Sequence, residues 1–194
     1  MTKCLICLLW LPLLLTACAQ QPVPISQQSW SDHSRQVALI RTWSIAGKAG
    51  IKTVAKSGSL RLNWRQQNDF FQIHFFNAFG QQLASIEGTA ENAQLVTEGA
   101  DQSAQNLQDS LSQMGWDVPM AQMQFWIKGL PAPGQYELSL NQQQLAENLR
   151  QEGWLIEYLD YQNLSSGLAL PSKIKLQNGQ GQLTLIINQW SLSL

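Results

Sequence analysis

The feature that most constrains this chain is a two-residue alternation of side chains that begins at Trp43 and returns along most of the sequence. The alternating positions are Trp43, Ile45, Gly47, Ala49 and Ile51 on one face and Ser44, Ala46, Lys48, Gly50 and Lys52 on the other. Successive side chains of a β-strand point to opposite faces, so this pattern predicts strands with one buried face. We predict about ten strands, at residues 43–52, 60–65, 70–76, 82–88, 93–98, 135–140, 144–150, 153–161, 172–178 and 181–188. Short turns join most of them, so we expect a single antiparallel sheet.

Three short helices accompany the strands. The first is predicted at residues 31–41, with Ser31 as its N-cap, and the others at 103–115 and 117–129, each ended by a glycine. Three helices cover little of one apolar sheet face. Curling of the sheet toward closure would enclose an apolar interior, which is either filled by side chains or available to a lipid.

The N-terminus has the pattern of a bacterial lipoprotein precursor. Residues 1–17 contain Lys3 followed by an apolar run, and Leu15-Thr16-Ala17-Cys18 reads as a lipobox. We therefore predict a signal peptide at 1–17, lipidation of Cys18, a flexible tether at 18–29 and one domain at 30–194. A cleaved signal without lipidation is the alternative. Ala19 after the cysteine resembles the pattern of enterobacterial lipoproteins sorted to the outer membrane, with the domain facing the periplasm.

Composition excludes several classes of function. Loss of Lys3 leaves eleven basic residues against thirteen acidic ones, so nothing favours a nucleic-acid partner. No thiol remains beyond Cys18, the two histidines lack metal-ligand spacing, and no catalytic or nucleotide motif occurs. We therefore expect no metal, no cofactor and no enzyme. A hydrolase would need a carboxylate pair brought together by folding, for which Asp69, Glu87 and Glu157 are candidates.

Two surface features remain open to more than one interpretation. Lys48, Lys52, Arg61 and Arg65 occupy polar positions of the first two strands. They form either a solvated face or a patch that attracts phosphate headgroups or an acidic partner. The turn Asn77-Ala78-Phe79-Gly80 places Phe79 where turns usually carry polar residues. Such a side chain folds back onto the core or, in a lipoprotein, contacts a membrane.

The order and spacing of these elements resemble the LolB family of outer-membrane lipoprotein receptors. The resemblance rests on Trp43 with Gly47, Trp64, Asn77-Ala78-Phe79-Gly80, Gly115 with Pro119, Trp126-Ile127-Lys128-Gly129-Leu130-Pro131, Gly153-Trp154 with Tyr158 and Tyr161, Leu170-Pro171, and Trp190. It implies a mainly β fold with a few helices: one antiparallel sheet curled into an open half-barrel, with helices as a lid over a hydrophobic cavity. Candidate cavity-lining residues are Trp43, Ile45, Leu60, Leu62, Trp64, Phe71, Ile73, Phe75, Met123, Trp126, Trp154 and Trp190.

The resemblance also implies a function and partners. A LolB-like protein accepts triacylated lipoproteins from the periplasmic carrier LolA and inserts them into the inner leaflet of the outer membrane, so its partners are LolA, acyl chains and phospholipid. The apolar residue of the matching turn protrudes and assists insertion, which assigns that role to Phe79. This chain has Ala78 where the family usually has Pro, and Phe where Leu is commoner. An adaptor lipoprotein or a lipid-binding module without transfer activity is the alternative, and we expect a monomer.

Overall fold

The computed structural model describes residues 29–53, 57–97, 100–103 and 119–193. The predicted signal peptide, Cys18, most of the tether and the predicted helix at 103–115, apart from its first residue, lie outside the described residues. Within them the helices are α1 (Trp30–Ala38) and α2 (Met120–Trp126). The strands are β1 (Thr42–Thr53), β2 (Ser57–Gln67), β3 (Phe70–Phe76), β4 (Gln82–Gly88), β5 (Ala93–Thr97), β6 (Ala100–Ser103), β7 (Glu137–Leu140), β8 (Ala146–Gln151), β9 (Trp154–Asn163), β10 (Ala169–Gln177) and β11 (Gly181–Ser193).

All the described strands form one antiparallel sheet, in the order β6-β5-β4-β3-β2-β1-β11-β10-β9-β8-β7. The chain makes two meanders, β1–β6 and β7–β11, which join where β1 pairs with β11. In the described part of the chain, β6 and β7 stay unpaired with each other, so the sheet is open. The predicted fold class, a single open antiparallel sheet with a few helices, is confirmed. Strand β6 was not predicted, and its last residue, Ser103, was wrongly predicted to begin a helix.

The sheet has an upper and a lower end, defined by its turns. Because neighbouring strands are antiparallel, the connections at 77–81, 152–153 and 178–180 share the upper end with the last residues of β1. The connections at 68–69, 89–92 and 164–168 share the lower end. The Asn178-Gly179 hairpin forms, with the Asn178 side-chain oxygen accepting bonds from the amides of Gln180 and Gly181.

Both described helices pack on the inner face of the sheet. Val37 of α1, together with Met123 and Trp126 of α2, belongs to the same apolar cluster as the inward side chains of the strands. The first helix differs from its prediction at both ends. Its N-cap is Ser29, whose hydroxyl accepts from the amide of Asp32, and it stops at Ala38. The prediction of Ser31 as the cap was wrong, because Ser29 places Asp32 in the first turn.

Strand β11 is longer than predicted because it contains a bulge. Its inward positions run Leu183, Leu185 and Ile187, after which two exposed residues precede Trp190. The register against β1 shifts between Ala46 and Gly47. One extra residue on β11 thus restores Trp190 to the inner face. The strict alternation used for prediction ends at this bulge, and the predicted strand ended with it.

Candidate functional site

The predicted cavity-lining residues come together on the inner face. Ten of the twelve are buried members of one apolar cluster, and the other two, Leu60 and Trp154, are half-buried and pack against it. The cluster runs from Ala93 on β5 to Leu149 on β8, across most of the width of the inner face. Their role as the lining of a lipid cavity stays a prediction, since here they pack against one another.

Three indole rings pack against one another, with their planes tilted, at the centre of this interior. The ring of Trp43 lies 5.3 Å from that of Trp64 and 5.4 Å from that of Trp190. The N–H groups of the outer two rings are satisfied: Trp64 donates to the side chain of Gln66, and Trp190 donates to the carbonyl of Pro171. The rings therefore present apolar faces without an unpaired donor at Trp64 or Trp190.

A buried glutamine holds α2 over the sheet. The Gln151 side-chain oxygen accepts from the Trp126 indole and from the Ala132 amide, both at 2.9 Å, while its amide nitrogen donates to the Ala132 carbonyl at 2.8 Å. The Tyr158 hydroxyl donates to the Trp126 carbonyl at the end of the helix. Sequence reasoning missed Gln151, because a glutamine at the end of a predicted strand gives no signal of burial.

Lys128 ties the end of α2 to the end of α1. Its ammonium donates to the Ile40 carbonyl at 2.9 Å and lies 5.9 Å from the centre of the Phe125 ring. The residue is only 7 % exposed. Burial lowers the pKa of Lys128 to about 8, with a smaller contribution from the charge of Arg41. The contact therefore links the two described helices through a group that is costly to keep charged.

Two clefts lie at opposite ends of the sheet. The upper cleft, about 1180 Å³, is bordered by the turns at 152–153 and 178–180 and by Trp154 and Tyr136. The lower one, about 600 Å³, lies against Ile40, Leu168 and Trp190. Each cleft thus has one of the predicted lining tryptophans at its wall.

The turn at 77–81 holds Phe79 away from the protein. The Asn77 side-chain oxygen accepts from the amides of Phe79 and Gln81, and the Asn77 carbonyl accepts from the amide of Gly80. Gly80 has a φ of +89°, a conformation that favours glycine. The Phe79 side chain is 97 % exposed. Asn77 thus fixes a loop that lacks the proline usual in the resembled family.

The predicted basic residues all lie exposed on the outer face, but not in one group. Lys48 and Arg61 are direct cross-strand partners, and Lys52 continues toward the upper end. Arg65 pairs with Ser44 near the lower end. Lys52 and Arg65 thus flank the Lys48–Arg61 pair, each four residues away along its strand and in opposite directions.

Residues 41–190 match the family described as Outer membrane lipoprotein LolB. The chain belongs to this family. Curated relatives agree: it is 35 % identical over 123 residues to the outer-membrane lipoprotein LolB of Cellvibrio japonicus, covering 61 % of this chain and 60 % of that protein. It is 33 % identical over 131 residues to LolB of Stutzerimonas stutzeri, covering 63 % and 64 %. The match thus spans a little under two thirds of those relatives' length.

A solved structure has a fold similar to that of this chain. A DUF1329 family protein from Desulfovibrio piger superposes with a TM-score of 0.59 at 7 % identity, covering 85 % of this chain and 91 % of that one. At that identity the likeness concerns the fold alone.

Few side chains that could bind a metal or act as acids and bases come together in the described part of this LolB-family chain. It contains no group of three metal-ligating side chains, and no helix in it is long and apolar enough to cross a membrane. Of the candidate carboxylates, Glu87 accepts from Gln72 on one half of the sheet, while Glu157 pairs with Lys175 on the other half. His33 is buried against Trp30, and desolvation lowers its pKa.

Proposed function

We propose that this protein accepts lipoproteins from the periplasmic carrier LolA, holds their acyl chains in its apolar interior and inserts them into the inner leaflet of the outer membrane. The observation that carries the proposal is the fully exposed Phe79 at one end of the sheet. A turn that keeps an aromatic ring in water is unfavourable for an isolated domain. It becomes favourable where a lipid anchor holds the domain at a bilayer.

The energetics favour transfer without an energy source. Exposure of an acyl chain costs about 0.8 kcal/mol per methylene, so even one chain of ordinary length costs on the order of 10 kcal/mol in water. A lipoprotein therefore needs an apolar container throughout its passage. Delivery runs downhill if this interior binds the chains more tightly than LolA does and less tightly than the membrane.

The helices supply the means of opening the interior. Met120 and Met123 of α2 are buried against the apolar cluster. Methionine side chains adapt to irregular partners, which suits a surface that exchanges protein contacts for acyl chains. The upper cleft beside Trp154 and the Phe79 turn share one end of the sheet. Chains that leave through this cleft would emerge at the end that meets the membrane.

The test is a transfer assay with the full, lipid-anchored protein in vesicles. LolA loaded with a triacylated lipoprotein is added, and the lipoprotein is followed from carrier to receptor to bilayer. For Phe79→Glu we expect normal release from LolA but at least ten-fold slower incorporation into the bilayer. The reason is that a buried phenylalanine contributes about 1.5–3 kcal/mol and a carboxylate opposes insertion.

The matched control is Leu159→Glu, which places the same charge at another exposed apolar position, on β9. It should incorporate lipoprotein at the wild-type rate. Equal rates for Phe79→Glu and wild type would overturn the insertion step. Failure of the wild type to remove lipoprotein from LolA would overturn the receptor function and favour an adaptor lipoprotein.

A further inference from the structure

The outer face beside the Phe79 turn carries a second feature suited to a membrane. Resting on the proposed function, we propose that Arg61, Lys48 and Lys52 form a binding site for the phosphate of an anionic phospholipid headgroup. We refer to these three residues as the headgroup site. Phe79 would insert into the hydrocarbon of the bilayer, and the headgroup site would bind phosphates at the bilayer surface.

Arg61 is built into the base of the turn. A methyl group at position 80 would lie 2.8 Å from a terminal guanidinium nitrogen of Arg61, so the guanidinium rests against Gly80. Arg61 is also the cross-strand partner of Phe76, the last residue of β3 before the turn. The guanidinium thus contacts Gly80, the residue that follows Phe79 in the turn.

This placement matches the layering of a bilayer. The headgroup region on each side of the hydrocarbon core is roughly 5–7 Å thick. A phenylalanine ring that reaches the hydrocarbon therefore leaves the base of its turn at the level of the phosphates. Arg61 and Lys48 occupy that level, because Arg61 contacts the turn and Lys48 is its neighbour across the strands, while Lys52 lies four residues farther along β1 toward the upper end.

The positive charge of the site is uncompensated by the described carboxylates. The ion pairs in the described ranges are Arg35 with Asp32 and Lys175 with Glu157, and neither involves this site. The described acidic residues of β1–β5 and their turns lie toward the lower end, at Asp69, Glu87 and Glu91, and Asp101 on β6 lies four strands away from Arg61. The upper end of this half therefore presents cations without a described anionic partner, which favours a phosphate ligand.

The guanidinium chemistry makes Arg61 the central member. Its planar fork donates two parallel hydrogen bonds to phosphate oxygens, a geometry that lysine does not offer. Lys48 and Lys52 add charge on the same exposed face. Each basic group near an anionic surface contributes about a five-fold gain in binding.

The experiment places a reporter on the turn of the full, lipid-anchored protein. Ala78, exposed in the turn, is replaced by cysteine and labelled with an environment-sensitive fluorophore. Quenching by brominated lipid then gives the fraction of turns immersed in the bilayer. The vesicles are pure phosphatidylcholine or phosphatidylcholine with about a quarter phosphatidylglycerol. The anchor holds every variant at the surface equally, so the signal reports the turn alone.

We expect immersion to rise in the phosphatidylglycerol vesicles, and Arg61→Gln to lower the ratio of immersed to free turns about five-fold there. For Arg61→Lys we expect an immersed fraction between that of the wild type and that of Arg61→Gln. Arg65→Gln is the matched control, since it removes the same charge from the same exposed strand face near the lower end. It should leave immersion unchanged. High salt should reduce the effect of phosphatidylglycerol.

The outcomes separate this proposal from the proposed function. If the turn immerses equally in both vesicles, or if Arg61→Gln matches Arg65→Gln, the headgroup site is wrong while insertion by Phe79 stands. If Arg61→Gln leaves immersion intact but slows removal of lipoprotein from LolA, the site is overturned in favour of a carrier contact. If the wild-type turn never immerses, both the headgroup site and the membrane role of Phe79 are overturned.

Discussion

Gln151 illustrates how a single polar side chain secures a lid on an apolar interior. It satisfies the Trp126 indole and both backbone groups of Ala132, all of them buried. Each buried donor or acceptor left without a partner costs about 1–3 kcal/mol. The amide therefore fixes the position of α2 more specifically than apolar packing does alone.

Replacement of Gln151 by alanine should destabilise the protein by about 2–4 kcal/mol, because it leaves buried polar groups unpaired and opens a cavity. Urea unfolding followed by tryptophan fluorescence measures the change. Gln189→Ala, on the exposed bulge of β11, serves as the control and should shift stability by less than about 0.5 kcal/mol. Equal effects for the two variants would contradict the structural role of Gln151.

Lys128 makes stability depend on pH. Its pKa is lowered from an ordinary 10.5 to about 8 in the folded state, chiefly by burial. Between these values the unfolded chain binds more protons, so stability rises with pH; below about 8 both states are protonated and the cost of burial is complete. From about pH 7 to about pH 9.5 the wild type should gain about 2 kcal/mol relative to Lys128→Met. Chemical denaturation of both proteins at each pH measures this difference, and parallel profiles would show that Lys128 titrates normally.

At the scale of elements, the junction of β1 and β11 decides whether the two meanders form one sheet. Gly47 lies where the register shifts, and a methyl group there would sit 2.1 Å from the Ile186 carbonyl oxygen. That distance is far inside van der Waals contact, so the two backbones approach as closely as they do only because position 47 lacks a side chain.

Gly47→Ala should therefore destabilise the protein by about 2–4 kcal/mol, since the backbone of β11 must shift. Gly50→Ala is the matched control on the same strand. Its methyl group would find its nearest neighbour, the Thr184 oxygen, at 4.0 Å. We expect Gly50→Ala to be neutral within about 1 kcal/mol. Thermal unfolding measures the stability of both variants. A Gly47→Ala protein as stable as the wild type would contradict the close approach of the β1 and β11 backbones at position 47.

At the scale of the whole molecule, the first and last strands, β1 and β11, pair at the centre of the sheet. Strands β6 and β7 lie at its edges. β1 pairs along its length with both β2 and β11, whereas β6 and β7 pair on one side only within the described residues. The centre is therefore the most cooperative part of the fold, and the edges are free to adjust when the interior opens.

Native-state hydrogen exchange should reflect this arrangement. Amides of β1 and β11 that bond across the sheet should exchange most slowly, at rates set by global unfolding, and those of β7 should exchange much faster through local opening. Peptide-resolved mass spectrometry measures both. Protection of β7 equal to that of β1 would contradict this prediction.

Local sequence patterns determined most of the elements and their faces. Alternation from Trp43 to Ile51 identified β1 and its buried side, and Asn178-Gly179 identified the last hairpin. Gly129, with a φ of +81°, marked the end of α2. The exposed position of Phe79 was expected only through the family resemblance, since general burial tendencies favour a ring that folds back.

The tertiary structure alone decided what depends on distant pairs. The burial of Gln151 and Lys128 and the bulge that turns Trp190 inward come from contacts between segments far apart in sequence. The pairing of Lys48 with Arg61 follows from strand register in the same way. Alternation reports which face a residue occupies, because side-chain direction is local. Alternation does not report which residue a side chain contacts, because strand register and helix docking are determined by packing across the whole sheet.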